Sequence, residues 1–438
     1  MEKRPVVAGV LLGVVTAAIY LVGGRRSFGY DAAATFANFV ATPSIWDAFA
    51  VSTVLPTIPL KSVASNDHVL LSLISHVIYS TTGSRSEIVY RLVPALAAGG
   101  VVGVTTSALA QRFGLLAAAT AGLFVATDPL FVENSRDLRG YSLAALGCVL
   151  ATVILTGRWT RWRLIAYALL LGLAITAQLF AGVVLLMHVA WIATRRSWPE
   201  LGQLAPAWLG AAVIGAAANA NIQIMELLQH GYPASVFYPT FPRDLVLFLV
   251  GAPVLLPVGL WLAAAGLGVW VLRAKPWLWA GLAVVGLVVA GLWLGLQPAY
   301  LYPRFFIFLV PACALLMAAA IARWKVLAPV VLAGALVAAM SQVPDYFVDP
   351  LALPQAAAAV DRIHAAGGRA CVIHIDEQVL AAYTSDFSVV STPEQLADCD
   401  AVVVVSWNVD LALRGLAASQ FPRATALQAY YPGVVLER

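Results

Sequence analysis

Charged side chains are scarce in this sequence, so the places where they gather are the places where chemistry can occur. Asp31 stands in Gly29-Tyr30-Asp31, just past the first long apolar run. A carboxylate there can take a proton from an attacking hydroxyl, the work of a general base. It also precedes a helix-prone Ala-Ala-Ala-Thr-Phe run, so a helix-capping or solvated Asp is the alternative. Asn66-Asp67-His68 opens an apolar segment that runs to Tyr79. His68, Ser72, Ser75, His76 and Tyr79 fall on one face of that segment if it is helical. Such a cluster can orient a sugar or bind a cation, or Asn66 and Asp67 can simply cap the helix. The densest group is Glu133-Asn134-Ser135-Arg136-Asp137-Leu138-Arg139-Gly140-Tyr141. Arginine suits a phosphate, because its planar fork donates two parallel hydrogen bonds and stays charged. The balanced charges equally allow a salt-bridge network joining two helices. Arg304 follows Tyr302-Pro303 at the mouth of a later apolar run, and Arg243 stands before another. Either can bind an anion or snorkel to lipid headgroups.

These residues need a scaffold, and composition says which kind. Of 438 residues 61% are hydrophobic and 11% charged, where a soluble protein carries about 25% charged. The long apolar runs predict a polytopic α-helical membrane protein and exclude a barrel. About eleven spans are expected, near 6–23, 89–111, 114–130, 141–157, 164–178, 180–194, 204–226, 245–271, 277–295, 305–322 and 326–342. Lys3/Arg4, Arg112, Arg158/Arg161/Arg163, Arg195/Arg196, Arg273/Lys275 and Arg323/Lys325 then share one side, which the positive-inside bias makes cytoplasmic. That places the N-terminus inside. The loop 24–88, the turn 131–140, the loop 229–243 and the chain after Met340 lie outside. The segment from His68 to Tyr79 is about 12 residues, too short to cross, and is expected as an interfacial or re-entrant helix. Basic residues placed at span ends argue against a nucleic-acid partner.

From Pro344 the pattern changes. Segments 370–375, 387–390 and 401–405 read as strands between helices at 351–366, 377–383, 393–397 and 410–420, which predicts a small parallel α/β domain. The expected division is 1–343 for the membrane domain and 344–438 for an extracytoplasmic domain. No glycine-rich phosphate loop follows a strand, so no nucleotide site is assigned. Cys371 and Cys399 start two strands and form either a disulfide or two buried thiols. No CxxC or Cys/His metal spacing occurs.

Three stretches resemble the GT-C superfamily of membrane glycosyltransferases, in its bacterial branch related to protein O-mannosyltransferases and aminoarabinose transferases. Tyr30-Asp31 follows the first span, where that family places its catalytic acidic residue. The run from Asn66 to His76, followed by Arg91-Leu92-Val93-Pro94, is similar to the family's Asn-Asp-His stretch and Arg-Leu-Val-Pro. Ser135-Arg136-Asp137-Leu138-Arg139-Gly140-Tyr141-Ser142 is similar to its outer-loop Arg-Asp-x-Arg-Gly-Tyr-Ser. The chain departs from the family at Ala32, where Glu is common, and at Val69-Leu70, where proline follows the histidine.

The resemblance implies a polyprenyl-phosphate sugar donor, a glycan, glycolipid or protein acceptor, and inversion at the anomeric carbon, at the outer face of the plasma membrane. Asp31 would be the base. Arg136, Arg139, Tyr141 and Arg304 would bind the departing phosphate, with Asn66, Asp67, His68, His76, Glu133, Asp137 and Tyr302 lining the site. Mannose is the first expectation for the sugar and arabinofuranose the second. No metal ligand is assigned, and a divalent cation stays open. The tail is expected to act in acceptor choice rather than chemistry. A secondary transporter would instead place polar segments near the bilayer midplane, where only Gln178 and Glu226 come close. A non-catalytic lipid-binding protein of the same fold is the other alternative.

Overall fold

The computed structural model describes residues 3–22, 27–49, 68–195, 198–230, 238–251, 255–296, 301–343, 351–373, 376–405, 411–427 and 433–438. Asn66 and Asp67 therefore lie outside the described residues. Contacts divide the chain into two units. One comprises Met1–Val22, Phe49–Leu71 and Leu92–Gln342, and the other Gly23–Ala48, Ser72–Arg91 and Val343–Arg438.

The first unit is a bundle of apolar helices. Helix lies under every one of the expected spans, but the expected count is not reproduced by length. Among the described residues five helices are long and apolar enough to cross a membrane, or six if a bent pair counts as one. The helix Lys3–Val22 turns Val10, Leu11 and Val14 outward, as a lipid-facing helix does. Its other face meets the helix Glu87–Phe113 through small residues: a Cβ on Gly13 would strike the carbonyl of Gly99, and one on Gly9 the backbone of Gly103. Such small pairs let backbones approach closely where no hydrophobic effect drives association. Elsewhere Arg161–Ala177 packs between Tyr141–Leu155 and Trp198–His230, and Leu255–Leu272 packs on Val310–Arg323 and Leu327–Gln342.

Two expected spans are broken. The run 245–271 is two helices, Phe241–Leu249 and Leu255–Leu272. Gly251 lies between them at φ +96°, with the Trp261 ring where a Cβ would go, so only glycine fits there. The run 114–130 is Leu115–Thr127 followed by Pro129–Ser135, bent by 58°. Pro129 has no N–H, so the helical ladder fails and carbonyls are orphaned. Two of them are taken up by side chains. Tyr20 Oη donates to the Ala126 carbonyl (3.0 Å) and Gln342 Nε2 to that of Thr127 (2.9 Å). Asp128 Oδ1 accepts the Phe131 N–H (2.9 Å), capping the second helix. This redirection carries the chain into the Arg136–Tyr141 turn.

The second unit holds a five-stranded sheet in the order β2-β1-β3-β5-β4. Its strands are β1 (Ala370–Ile373), β2 (Ser388–Val390), β3 (Ala401–Val404), β4 (Arg423–Ala426) and β5 (Val434–Glu437). β1 pairs in parallel with β2 and β3, as the strand–helix alternation predicts. β5 pairs antiparallel with β3 and β4, so the sheet is mixed rather than all-parallel. β4 is Arg-Ala-Thr-Ala and exposed throughout, with no apolar alternation to mark it as a strand. Asp376 Oδ2 accepts the Val405 N–H (2.7 Å), tying together the chain ends that leave β1 and β3. Cys371 and Cys399 are disulfide-bonded. The division also differs from a boundary at 343–344, because segments 27–48 and 72–91 group with the tail. Arg85 Nη1 donates to the Ala382 carbonyl (3.2 Å), and the Tyr383 hydroxyl donates to Glu87 Oε1 (2.6 Å).

The disulfide closes a loop of sequence separation 28, which restricts the unfolded chain. Replacing both cysteines by serine is expected to destabilise the α/β unit by about 3–4 kcal/mol on the chain-entropy scale. Hydrogen exchange over β1 and β3 in the full-length protein would rise. Unchanged protection there would contradict the expectation.

Candidate functional site

In the membrane unit the site is built on the turn between Pro129–Ser135 and Tyr141–Leu155. Arg136 ends the first helix and is buried, at 8% exposure. Asp137 folds the turn, accepting the Leu138 N–H on Oδ1 (3.0 Å) and the Arg139 N–H on its carbonyl (2.8 Å). Arg139 and Asp137 are half-buried, and Glu133 is exposed. Tyr141 begins the next helix fully buried, with its ring edge-on to His68 at 4.6 Å between centroids. His68 Nδ1 lies 3.0 Å from the Ala177 carbonyl, the last of the helix Arg161–Ala177. A carbonyl only accepts, so Nδ1 carries the proton and closes that helix end. Gly140 fits between these groups. Its φ is −75°, so glycine is there for room: a Cβ would strike the Ala177 carbonyl oxygen and stand 3.2 Å from His68 Nδ1. The short helix Pro303–Leu309 packs against the helices on both sides of the turn. Arg304, half-buried, lies over the Tyr302 ring at 4.5 Å.

In the second unit Asp31 sits in the first turn of the helix Tyr30–Thr35, half-buried. Gly29 occupies the N-cap position, so Asp31 stands inside the first turn rather than at the cap. The helix continues as a π-turn over Phe36–Val40, closed by the Ala41 N–H on the Phe36 carbonyl (2.8 Å). His76 Nδ1 lies 3.0 Å from the Val40 carbonyl. The face His68, Ser72, Ser75 and His76 of the helix Val69–Thr82 is thus buried rather than wet. Both histidines spend one ring nitrogen on a backbone carbonyl at a helix end.

The structure therefore brings His68, Gly140 and Tyr141 together in one unit and places Asp31 and His76 in the other. Arg243 pairs with Asp244 at 2.8 Å. Among the described residues, no group of three or more His, Cys, Asp or Glu side chains gathers to hold a cation. Sequence reasoning missed two buried groups. Asp128 is the helix cap noted above, and the Asp-Pro pair was its signal. His188 is held between the Thr152 hydroxyl (3.0 Å) and the Tyr167 hydroxyl (2.9 Å), joining three helices. Its apolar surroundings gave no hint of partners.

The chain matches no protein-family model and no curated protein. Solved structures do resemble it. A crystal structure of ArnT from Cupriavidus metallidurans in the apo state superposes with a TM-score of 0.60 at 14% identity, covering 98% of this chain and 97% of that one. A second, of ArnT bound to undecaprenyl phosphate, gives 0.61 at 14% identity, covering 100% and 98%. This chain therefore shares the fold of ArnT along its whole length.

The packing around Gly140 has a direct consequence. Gly140→Ala overfills the junction of Ala177, His68 and Tyr141, and is expected to cost about 1–3 kcal/mol. A lowered thermal-unfolding midpoint of the purified protein would register it. An unchanged midpoint would mean that the turn is not held against these groups.

Proposed function

We propose that this protein transfers a sugar from a polyprenyl-phosphate donor to a cell-envelope acceptor at the outer face of the plasma membrane. The observation that carries the reading is the full-length likeness to ArnT, one structure of which holds undecaprenyl phosphate. In the reaction the acceptor hydroxyl attacks the anomeric carbon as the bond from that carbon to the phosphate oxygen breaks. Asp31 takes the hydroxyl proton, configuration inverts, and polyprenyl phosphate leaves. Arg136 and Arg139, with Tyr141 and Arg304, stabilise the charge that grows on the departing phosphate. Fixed donors in a dry site are worth most there, because no solvent has to reorganise. Mannose is the first choice for the sugar and arabinofuranose the second. The acceptor is a glycan, a glycolipid or a protein. In this reading the N-terminus is cytoplasmic, and the α/β unit is outside, where it takes part in choosing the acceptor.

Asp31→Asn tests the base. The amide keeps the shape but cannot take a proton, so turnover should fall by roughly 10²–10⁴-fold. Gly29, not Asp31, is the N-cap, so the substitution leaves the cap in place, and the lost charge near the helix N-terminus costs about 0.3–1 kcal/mol. The assay is transfer from polyprenyl-phosphate mannose or polyprenyl-phosphate arabinofuranose, whichever the parent protein uses, to native membranes. Near-parent turnover by folded Asp31→Asn protein would remove Asp31 from the chemistry.

A further inference from the structure

The helix that carries Asp31 is short, and the backbone leading into it is held from outside the loop. Arg91 Nη2 donates to the Ser27 carbonyl (2.8 Å). The Phe28 N–H, just before the N-cap, donates to Tyr383 Oη (2.9 Å). The same hydroxyl donates to Glu87 Oε1 (2.6 Å). A phenol hydroxyl has one proton, and it is donated in the hydrogen bond to Glu87, which leaves a lone pair to accept the Phe28 N–H. Burial first, and the Glu87 carboxylate second, push the Tyr383 phenol well above its ordinary value, so it stays protonated. The Phe28 ring is fully buried. It stacks on Phe36 at 5.5 Å, lies 6.1 Å from the Tyr383 ring, and has the Arg91 guanidinium 5.6 Å from its centroid. Glu377–Leu380 packs directly against Tyr30–Thr35. Tyr383 and Glu377–Leu380 belong to the C-terminal α/β segment, some 350 positions along the chain from Phe28 (a separation of 355).

We propose that Tyr383, oriented by Glu87, is a positioning residue for Asp31, so that the C-terminal segment sets the rate of the chemical step as well as serving acceptor choice. The inference rests on Asp31 being the base. A base placed about 1 Å off its productive position loses up to about 10²-fold in rate. Loss of one hydrogen bond near its helix would shift the base by less, so the expected loss is roughly 10-fold.

The test uses the full-length protein, the same two donors as probes, and four variants: Tyr383→Phe, Glu87→Leu, Asp31→Asn, and Tyr383→Phe combined with Asp31→Asn. Tyr383→Phe keeps the ring and its packing and removes only the oxygen. The expected results are a kcat about 10-fold lower for Tyr383→Phe and Glu87→Leu, with the donor KM little changed, and no further loss when Tyr383→Phe is added to Asp31→Asn. Hydrogen exchange gives a readout independent of turnover. The Phe28 amide should exchange roughly 2–10-fold faster in Tyr383→Phe, the worth of one net hydrogen bond, while Leu353–Ala365 stays protected. An impaired Asp31→Asn protein with parent-like kcat in Tyr383→Phe, or losses that multiply in the double variant, would overturn the positioning role alone. Near-parent turnover in Asp31→Asn would overturn the base assignment itself, and the positioning role with it. Glu87→Leu and the exchange measurement keep the test decisive if Tyr383→Phe folds poorly.

Discussion

A backbone that breaks its helices where water is excluded must find partners for every freed carbonyl and amide, and this constraint shapes the protein. Each unsatisfied group in hydrocarbon costs several kcal/mol. At the Asp128-Pro129 break, Tyr20 and Gln342 take the carbonyls of Ala126 and Thr127, and Asp128 takes an amide. At the end of Arg161–Ala177 the orphan carbonyl goes to His68, and at the π-turn the Val40 carbonyl goes to His76. Before the Asp31 helix, Arg91 and Tyr383 do the same for Ser27 and Phe28. Polar side chains distant in sequence thereby fix the segments that carry Arg136, Arg139, Tyr141 and Asp31.

How far the sequence could be read follows from this. Apolar runs mark helices whatever their partners, so the positions of the spans were legible. The break at Gly251 was not, because that residue sits inside an apolar run, whereas the Asp128-Pro129 pair carried a helix-start signal that a reading by hydropathy alone passes over. Strands β1 to β3 were legible from β-branched, buried segments such as Ala401–Val404. β4 was not, because Arg-Ala-Thr-Ala owes its place to pairing with β5. The site's residue types were legible where they share one turn, as in the run from Glu133 to Tyr141. The polar face of Val69–Thr82 pointed to water or ligand, whereas His68 and His76 are taken up by carbonyls that no local pattern reveals.

The fold and the proposed chemistry divide the labour in a consistent way. The turn that carries the arginines is compact, braced by Asp137, Gly140 and Tyr141, and rests on helices locked by small residues and caps. Its rigidity suits phosphate recognition, where the bidentate geometry of arginine counts for more than charge alone. Asp31 sits in a short helix held by aromatic packing and by long-range hydrogen bonds to Arg91 and Tyr383. A base benefits from such bracing because its rate contribution depends on position. Cross-links from segments 27–48 and 72–91 to the C-terminal segment explain why these group as one unit.

The central claim of the proposed function is that the arginines of the 136–141 turn hold a lipid phosphate. A cryo-EM structure of the protein in nanodiscs with undecaprenyl phosphate tests it most directly. The account predicts phosphate oxygens within hydrogen-bonding distance of Arg136 or Arg139, joined by Tyr141 or Arg304. A phosphate held elsewhere, with both turn arginines engaged only by protein groups, would contradict it.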